Sequence, residues 1–188
     1  MLNFALIVGS TRPNRFADHP KAWIEAGART RDDLKLDVLD LRDHPLRFYN
    51  EPAPPIYTKG AYSEQTSEAW RLKIGQYDGF IATVAEYNHG PTAVLKNAFD
   101  SAFYEWNRKP IAFVGYGGSG GVRAIEHLRG VAIELQMAPI KHEVNIAREP
   151  YIGVIQGKTL DDFGYLTEAR TALFDNLVWW GSALKAAR

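Results

Sequence analysis

The chain has 188 residues, which is enough for one domain with its own apolar core. Its 22 basic and 22 acidic side chains balance, which argues against nucleic-acid binding, and the absence of cysteine excludes disulfides, thiolate catalysis and cysteine-ligated metal centres. The N-terminal segment lacks a signal-peptide pattern and no run reaches the ~18 apolar residues of a membrane helix, so a soluble cytoplasmic protein is expected.

Short apolar runs, which are typical of buried strands, alternate with helical patterns. In chain order the prediction is a strand at 2–8, a helix at 20–30, a strand at 34–41, a loop with four prolines at 44–60, a helix at 63–75, a strand at 80–85, a helix at 92–106, a strand at 110–116, a helix at 121–137, a fifth strand through Val144 and Ile146, and a final helix over 159–187 that is unbroken or divided near Asp175. Asp18 is a candidate cap for the first helix, and Ala69, Trp70 and Ile74 are expected to face inward.

Strands that alternate with helices require right-handed crossovers and therefore a parallel sheet. Five such strands fit the flavodoxin-like order 2-1-3-4-5 in a three-layer α/β sandwich, although periodicity does not separate this order from others with five strands. No repeat, low-complexity tract or linker divides the chain, so residues 1–188 are expected to form a single domain.

Polar loops follow three of the predicted strands, at the sheet edge where ligands bind in parallel α/β folds. Residues 9–15 (Gly-Ser-Thr-Arg-Pro-Asn-Arg) offer hydroxyls, backbone N–H groups and two guanidiniums, which suit a phosphate. Residues 86–89 (Glu-Tyr-Asn-His) offer polar and aromatic groups that suit a planar ring. Together the two loops favour a phosphorylated, ring-bearing cofactor, with flavin mononucleotide (FMN) as the first choice.

The third loop, residues 115–121, is rich in glycine, which allows a flat ring to approach the backbone closely. It also contains Gly117-x-Ser119-x-Gly121, the pattern of a hydrolase nucleophile elbow. That hypothesis needs an acid followed by a histidine, and only His127 and His142 lie downstream, so a serine hydrolase is the least favoured alternative.

The five histidines form no His-x-His or His-x-x-x-His pair, and no metal site is predicted. The paired aromatic residues Trp179 and Trp180 are expected to pack the last helix on the core or on a neighbouring subunit.

Five motifs in order resemble the NAD(P)H-dependent FMN reductases, over roughly residues 2 to 146. Residues 9–15 are similar to the Gly-Ser-x-Arg phosphate loop of that family, and residues 86–90 to its Pro-Glu-Tyr-Asn loop. Residues 95–100 (Leu-Lys-Asn-Ala-Phe-Asp) match the motif that follows, and the segments 105–110 and 116–124 continue in register.

The resemblance implies a flavodoxin-like protein that binds FMN without a covalent bond and uses NADH or NADPH to reduce flavins, quinones, azo dyes or chromate. It implies three groups of cofactor-binding residues: Ser10, Arg12, Asn14, Arg15 and Phe16 at the phosphate and ribityl end, Glu86, Tyr87, Asn88 and His89 along the isoalloxazine, and Tyr116, Gly117 and Gly118 on its other side or edge. The flavin carries the chemistry, so no catalytic side chain is implied.

The resemblance further implies a homodimer or homotetramer with the helix through Lys96 to Trp106 at the interface, where Phe103, Tyr104 and Trp106 would lie unless they belong to the core. Two positions depart from the family pattern. Ala85 replaces the usual proline, and Pro91 lies one place early, which affects the expected substrate pocket.

Two further hypotheses remain besides an oxidoreductase. A flavodoxin-type electron carrier is disfavoured by the balanced charge and by the arginines of the first loop. A flavin-free regulatory protein that has kept the fold is the other.

Overall fold

A parallel sheet with the strand order β2-β1-β3-β4 forms the centre of the computed structural model, which describes residues 1–58, 60 and 62–188. Its strands are β1 (Leu2–Val8), β2 (Leu34–Asp40), β3 (Gly79–Ala85), β4 (Pro110–Tyr116), β5 (Ala138–Pro139) and β6 (Val144–Ile146). Every pairing is parallel. The predicted flavodoxin-like order 2-1-3-4-5 is therefore confirmed.

The fifth position of the sheet is occupied by two short strands instead of one. β5 pairs with the start of β4, and β6 pairs with its end at Val114 to Tyr116. The predicted strand through Val144 and Ile146 is confirmed as β6. Pro139 has no N–H to donate to a ladder, which suits a position at the edge of the sheet.

Helices cover both faces of the sheet. They are α1 (Asp18–Arg29), α2 (Pro55–Thr58), α3 (Gln65–Ile74), α4 (Ala93–Asp100), α5 (Val122–Glu134), α6 (Arg148–Ile155) and α7 (Gly164–Ala187). Side chains alternate across β1, so that Phe4, Leu6 and Val8 face the core beneath α1 and α7, whereas Ala5 and Ile7 face the core beneath α3, α4 and α5. This period of two makes β1 a strand that is buried on both faces.

The helix predicted at 92–106 is shorter in the structure, where α4 ends at Asp100. The chain then turns, and Trp106 packs against the rings of Trp70, Phe80 and Phe99. Burial of this ring outweighs continuation of the helix. Phe103 and Trp106 thus belong to the core, whereas Tyr104 remains 44% exposed.

Three other expectations need correction. Asp18 is the first residue of α1 and does not cap it. The proline-rich stretch 44–60 contains the short helix α2, which begins at Pro55 because proline fits the first turn of a helix; Lys59 in this stretch lies outside the described residues. Ala69 is exposed, whereas Trp70 and Ile74 point inward as predicted.

The region after β6 also differs from the prediction. Helix α6 and a short 3₁₀ turn at Leu160–Asp162 precede α7, which runs unbroken through Asp175. Trp179 and Trp180 lie on the exposed side of α7, 64% and 38% exposed, so they do not pack on the core. Within the part of the chain described, no helix combines the length and apolarity needed to cross a bilayer.

Lys109 is a buried cation at the edge of the sheet that carries the amino ends of the strands. Its Nζ donates to the carbonyl oxygens of Ile74 (3.2 Å) and Gly75 (3.4 Å) at the end of α3, and it lies 5.5 Å from the centroid of the Phe80 ring. Burial lowers the pKa of Lys109 to about 8, and the charge of Arg188 adds to this against opposing effects of Asp78 and Glu105.

This buried lysine predicts a pH-dependent contribution to stability. Between a folded pKa of about 8 and an unfolded pKa of about 10.4, the unfolded chain binds more protons at Lys109, so the free energy of unfolding rises with pH across that window. We expect Lys109→Met to remove this rise. Urea denaturation at about pH 7 and about pH 10 should show the wild type gaining on Lys109→Met as the pH increases.

The matched control is Lys141→Met, which removes an exposed lysine and should track the wild type at both pH values. A constant stability difference between Lys109→Met and the wild type across the window would contradict the burial argument.

Candidate functional site

A cavity of about 450 Å³ opens at the carboxyl ends of β1, β3 and β4, where ligands bind in folds of this topology. Its lining comes from the three loops singled out in the sequence and from α6. The lining residues are Ser10, Arg12, Arg15, Phe16, Ala85, Glu86, Tyr87, Asn88, Tyr116, Gly117, Gly118 and Tyr151. The structure thus brings together most of the predicted site residues, while Asn14 and His89 do not line the cavity.

Gly9 begins the first loop because no side chain fits there. The Cβ of any other residue would lie 2.3 Å from the backbone oxygen of Thr83. The backbone of Gly9 is also held on both sides. Its N–H donates to Thr83 Oγ1 (3.0 Å) and its carbonyl accepts from Thr92 Oγ1 (2.5 Å). These contacts fix the starting direction of the loop against β3 and α4.

Arg15 is buried and uses all five of its N–H donors within the protein. Nε and Nη2 donate to Asp18, both Nη atoms donate to Asp40, and Nη1 also donates to the Ser10 carbonyl. Burial raises the pKa of Asp40, and hydrogen bonds from Arg15 and from the Arg42 amide outweigh it and hold that pKa below its usual value. The expectation that Arg15 offers a free guanidinium to a phosphate is therefore not met.

Arg12 is the other arginine of the loop, and its environment is the opposite. It is exposed, it lines the cavity, and its guanidinium forms no hydrogen bond or ion pair with any described residue. A free, exposed guanidinium beside a cavity can form a bidentate pair with an anion. Of the two predicted arginines, Arg12 is the one positioned for direct binding.

The second loop closes in a type I′ turn over residues 87–90. Tyr87 and Gly90 exchange backbone hydrogen bonds of 2.8 and 3.1 Å, and both central residues have positive φ angles, 50° for Asn88 and 75° for His89. Asparagine tolerates this conformation well, whereas histidine adopts it at some cost in energy. The turn places Asn88 at the cavity and His89 beside His127, with 6.1 Å between the ring centroids.

Glu86 connects the second loop to the third. Its carboxylate, 5% exposed, accepts from the backbone N–H of Arg123 (3.2 Å) and from Arg123 Nε (2.7 Å), at the start of α5. Burial raises the pKa of Glu86, but these bonds and the charge of Arg123 bring it below the ordinary value. The carboxylate is thus an ion-paired tether between the second loop and the start of α5.

An aromatic wall closes one side of the cavity. Phe16 lies between Tyr116 and Tyr151, with centroid distances of 5.3 and 4.3 Å. The Tyr116 hydroxyl is buried and has no hydrogen-bond partner among the described residues, and burial raises the pKa of Tyr116. A protonated, unpartnered hydroxyl at a cavity is ready to donate to a ligand.

Tyr151 lines the cavity but is absent from the sequence prediction. It lies on α6, which was not predicted. The available signal was positional. An aromatic residue closely following the fifth strand of a parallel sheet lies near the edge where the other loops meet.

Ser119 does not have the surroundings of a hydrolase nucleophile. Its Oγ accepts from Arg123 Nη2 (3.2 Å), and no histidine bonds to it among the described residues. Across residues 1–58, 60 and 62–188, no group of three or more His, Cys, Asp or Glu side chains forms a candidate metal site.

Comparison with known proteins gives three results in agreement. The family model described as NADPH-dependent FMN reductase matches residues 2–150. An NAD(P)H-dependent FMN reductase of Schizosaccharomyces pombe is 31% identical over 169 residues, covering 89% of this chain and 84% of the relative. An NADPH:quinone oxidoreductase of Arabidopsis thaliana is 30% identical over 142 residues, covering 73% and 69%.

A solved structure supports the fold. The flavoenzyme NAD(P)H:(acceptor) oxidoreductase FerB of Paracoccus denitrificans superposes with a TM-score of 0.72 at 21% identity, over 97% of this chain and 98% of that one.

Two glycine substitutions, one in the third loop and one within α5, should have opposite effects on the free energy of unfolding. At Gly115 an added Cβ would lie 2.4 Å from the Gly120 carbonyl oxygen and 2.8 Å from Ile125 Cδ1, so Gly115→Ala should lower the free energy of unfolding by about 1–3 kcal/mol. Gly130 lies exposed within α5 with nothing within 4 Å, so Gly130→Ala should raise it by up to about 1 kcal/mol. Urea denaturation measures both, and equal effects would contradict the packing of this loop.

Proposed function

Because the chain belongs to the NADPH-dependent FMN reductase family, an enzyme family that works with FMN and NAD(P)H, we propose that it passes hydride from NAD(P)H through bound FMN to a small acceptor. Flavins, quinones and azo compounds are the proposed acceptor classes. The observation that carries the proposal is the cavity at the carboxyl edge of the sheet, with a free guanidinium, unpartnered loop amides and an unpartnered tyrosine hydroxyl around it.

The first loop fits the phosphate of FMN. Arg12 offers a bidentate pair, Ser10 offers a hydroxyl at the cavity wall, and the backbone amides of Ser10, Thr11 and Arg12 donate to no described residue. Arg15 is proposed to act on the phosphate indirectly, since its donors are occupied. Asn14, which does not line the cavity, would contact the phosphate from the cavity rim.

The second and third loops fit the flat ring system. Asn88 and Tyr87 line one side of the cavity, and Gly117 and Gly118 leave the other side free of side chains. The Tyr116 hydroxyl would donate to an oxygen of the bound cofactor, since its raised pKa keeps the proton in place. His89, which does not line the cavity, would act at its rim.

When bound, FMN supplies the redox chemistry, since its ring nitrogen N5 accepts a hydride and the reduced ring passes the electrons on. The protein would bind the cofactor, orient it and leave one face accessible. Tyr87, which lines the cavity and is 41% exposed, would flank that face. We propose that nicotinamide leaves this face before the acceptor binds there, which is a ping-pong order, and that no side chain acts as an obligate acid or base.

The two other hypotheses predict different results in the same FMN-binding and turnover experiments. A flavodoxin-type carrier would bind FMN but require a partner protein for turnover, and a flavin-free regulator would not bind FMN.

We extend the proposal to a homodimer or homotetramer. The exposed rings of Tyr57 and Tyr104, whose hydroxyl donates to the Ile56 carbonyl (2.7 Å), provide an apolar surface, and sedimentation equilibrium measures the assembly.

Arg12→Ala should weaken FMN binding about tenfold or more, because a charge-assisted hydrogen bond contributes about 1.5–3 kcal/mol. Titration of flavin-stripped protein, followed by quenching of flavin fluorescence, measures it. Arg12 is chosen over Arg15 because loss of the buried Arg15 would leave Asp40 without its partner and disturb the fold. The control Arg47→Ala removes an 80% exposed guanidinium, and an effect equal to that of Arg12→Ala would contradict the assignment.

Steady-state kinetics should show a ping-pong reaction without any partner protein. With NADH or NADPH as donor and a soluble quinone as acceptor, double-reciprocal plots at several fixed acceptor concentrations should be parallel, since the two substrates use one face in turn. Intersecting lines would contradict the proposed order. NAD(P)H oxidation that requires a partner protein would favour the electron carrier.

A further inference from the structure

Three successive carbonyl groups of the first loop accept hydrogen bonds from two arginines. Arg15 Nη1 donates to the Ser10 carbonyl (2.5 Å), Arg42 Nε donates to the Thr11 carbonyl (3.4 Å), and Arg42 Nη2 donates to the Arg12 carbonyl. Arg15 belongs to the loop, whereas Arg42 follows the end of β2. Arg42 does not line the cavity.

Holding these carbonyls sets the direction of the neighbouring amides. A trans peptide is planar, and its N–H points opposite to its C=O. The N–H of Thr11 therefore points away from Arg15, and the N–H of Arg12 points away from Arg42. Neither amide donates to any described residue, so both are free to bind an anion.

Asp40 anchors both arginines. Its carboxylate accepts from Arg15 Nη1 (2.7 Å) and from the backbone N–H of Arg42 (3.0 Å), and its side chain is 14% exposed. Arg42 is thereby fixed at its backbone, while its side chain, 38% exposed, reaches across to the loop. A side chain held in this way positions a loop without touching what the loop binds.

We propose that Arg42 is a positioning residue for the cofactor phosphate, which acts by holding the Thr11 carbonyl so that the Arg12 amide faces the phosphate. Its second contact, with the Arg12 carbonyl, holds the loop at the peptide before Pro13, which has no N–H of its own. This inference rests on the proposed binding of FMN. It concerns only the phosphate end of the cofactor, so its effect differs from that of a general loss of structure or of the ring-binding loops.

The test compares FMN with riboflavin, which has the same ring system and lacks the phosphate. Flavin-stripped wild type, Arg42→Met and Arg42→Lys are titrated with each ligand. Arg42→Met should weaken FMN binding at least about tenfold and change riboflavin binding less than about twofold, because the hydrogen bond from the Arg12 amide to the charged phosphate is misdirected. Arg47→Met, which removes an exposed arginine five residues further along the chain, should change neither affinity.

Salt and the lysine variant separate positioning from simple charge attraction. Screening at about 1 M salt shortens the reach of an exposed charge to roughly 3 Å. If Arg42 positions the loop, the deficit of Arg42→Met relative to wild type persists at that salt concentration, and Arg42→Lys recovers only part of it because one ammonium does not replace a two-pronged guanidinium.

Two results would overturn the inference. One is an unchanged ratio of FMN to riboflavin affinity in Arg42→Met, and the other is a deficit that disappears at high salt and is fully restored by lysine. Equal affinities of the wild type for riboflavin and FMN would show that the phosphate contributes no binding energy, which would contradict a phosphate site in the first loop. A wild type that binds neither ligand would instead overturn the proposed function.

Discussion

The buried guanidinium of Arg15 is the interaction on which the site depends. It joins the first loop to the end of β2 through Asp40 and to the start of α1 through Asp18. Removing one member of such a buried pair costs about 3–5 kcal/mol, because the remaining charge has no partner. The five satisfied N–H groups of Arg15 therefore make the loop a rigid part of the sheet edge, and they leave Arg12 as the arginine that faces the cavity.

A second ion pair performs the corresponding task on the other side of the cavity. Glu86 and Arg123 connect the turn after β3 to the start of α5, which follows the glycine-rich loop after β4. The carboxylate also accepts the Arg123 amide, so it satisfies one of the free N–H groups at that helix terminus. The loops are thus fixed by charged groups whose hydrogen bonds are made within the protein, and Arg12 at the cavity keeps its donors free.

The aromatic residues show how burial overrides local pattern. Trp106 leaves its predicted helix because its ring fits between Phe80 and Phe99. Trp179 and Trp180 are the opposite case. The helix α7 continues through both residues as the pattern predicts, and the two rings remain exposed. Helix propensity alone does not predict which of these rings are buried, because packing partners from distant segments decide which faces are covered.

The sequence by itself determined the alternation of strands with most of the helices and the three loops of the site, because apolar periodicity and glycine positions are local properties of the chain. The strand order 2-1-3-4-5 was compatible with that alternation, and the pairing of the strands decided it. The sequence also placed Tyr116 and Asn88 at the cavity. Only the tertiary structure decided that Arg15 faces Asp40 and Asp18 while Arg12 is free, that Glu86 binds Arg123, and that Tyr151 completes the aromatic wall. The physical reason is that a charged or aromatic side chain takes its role from its partners, and these partners come from segments that lie up to 135 residues apart in the chain, as Phe16 and Tyr151 do.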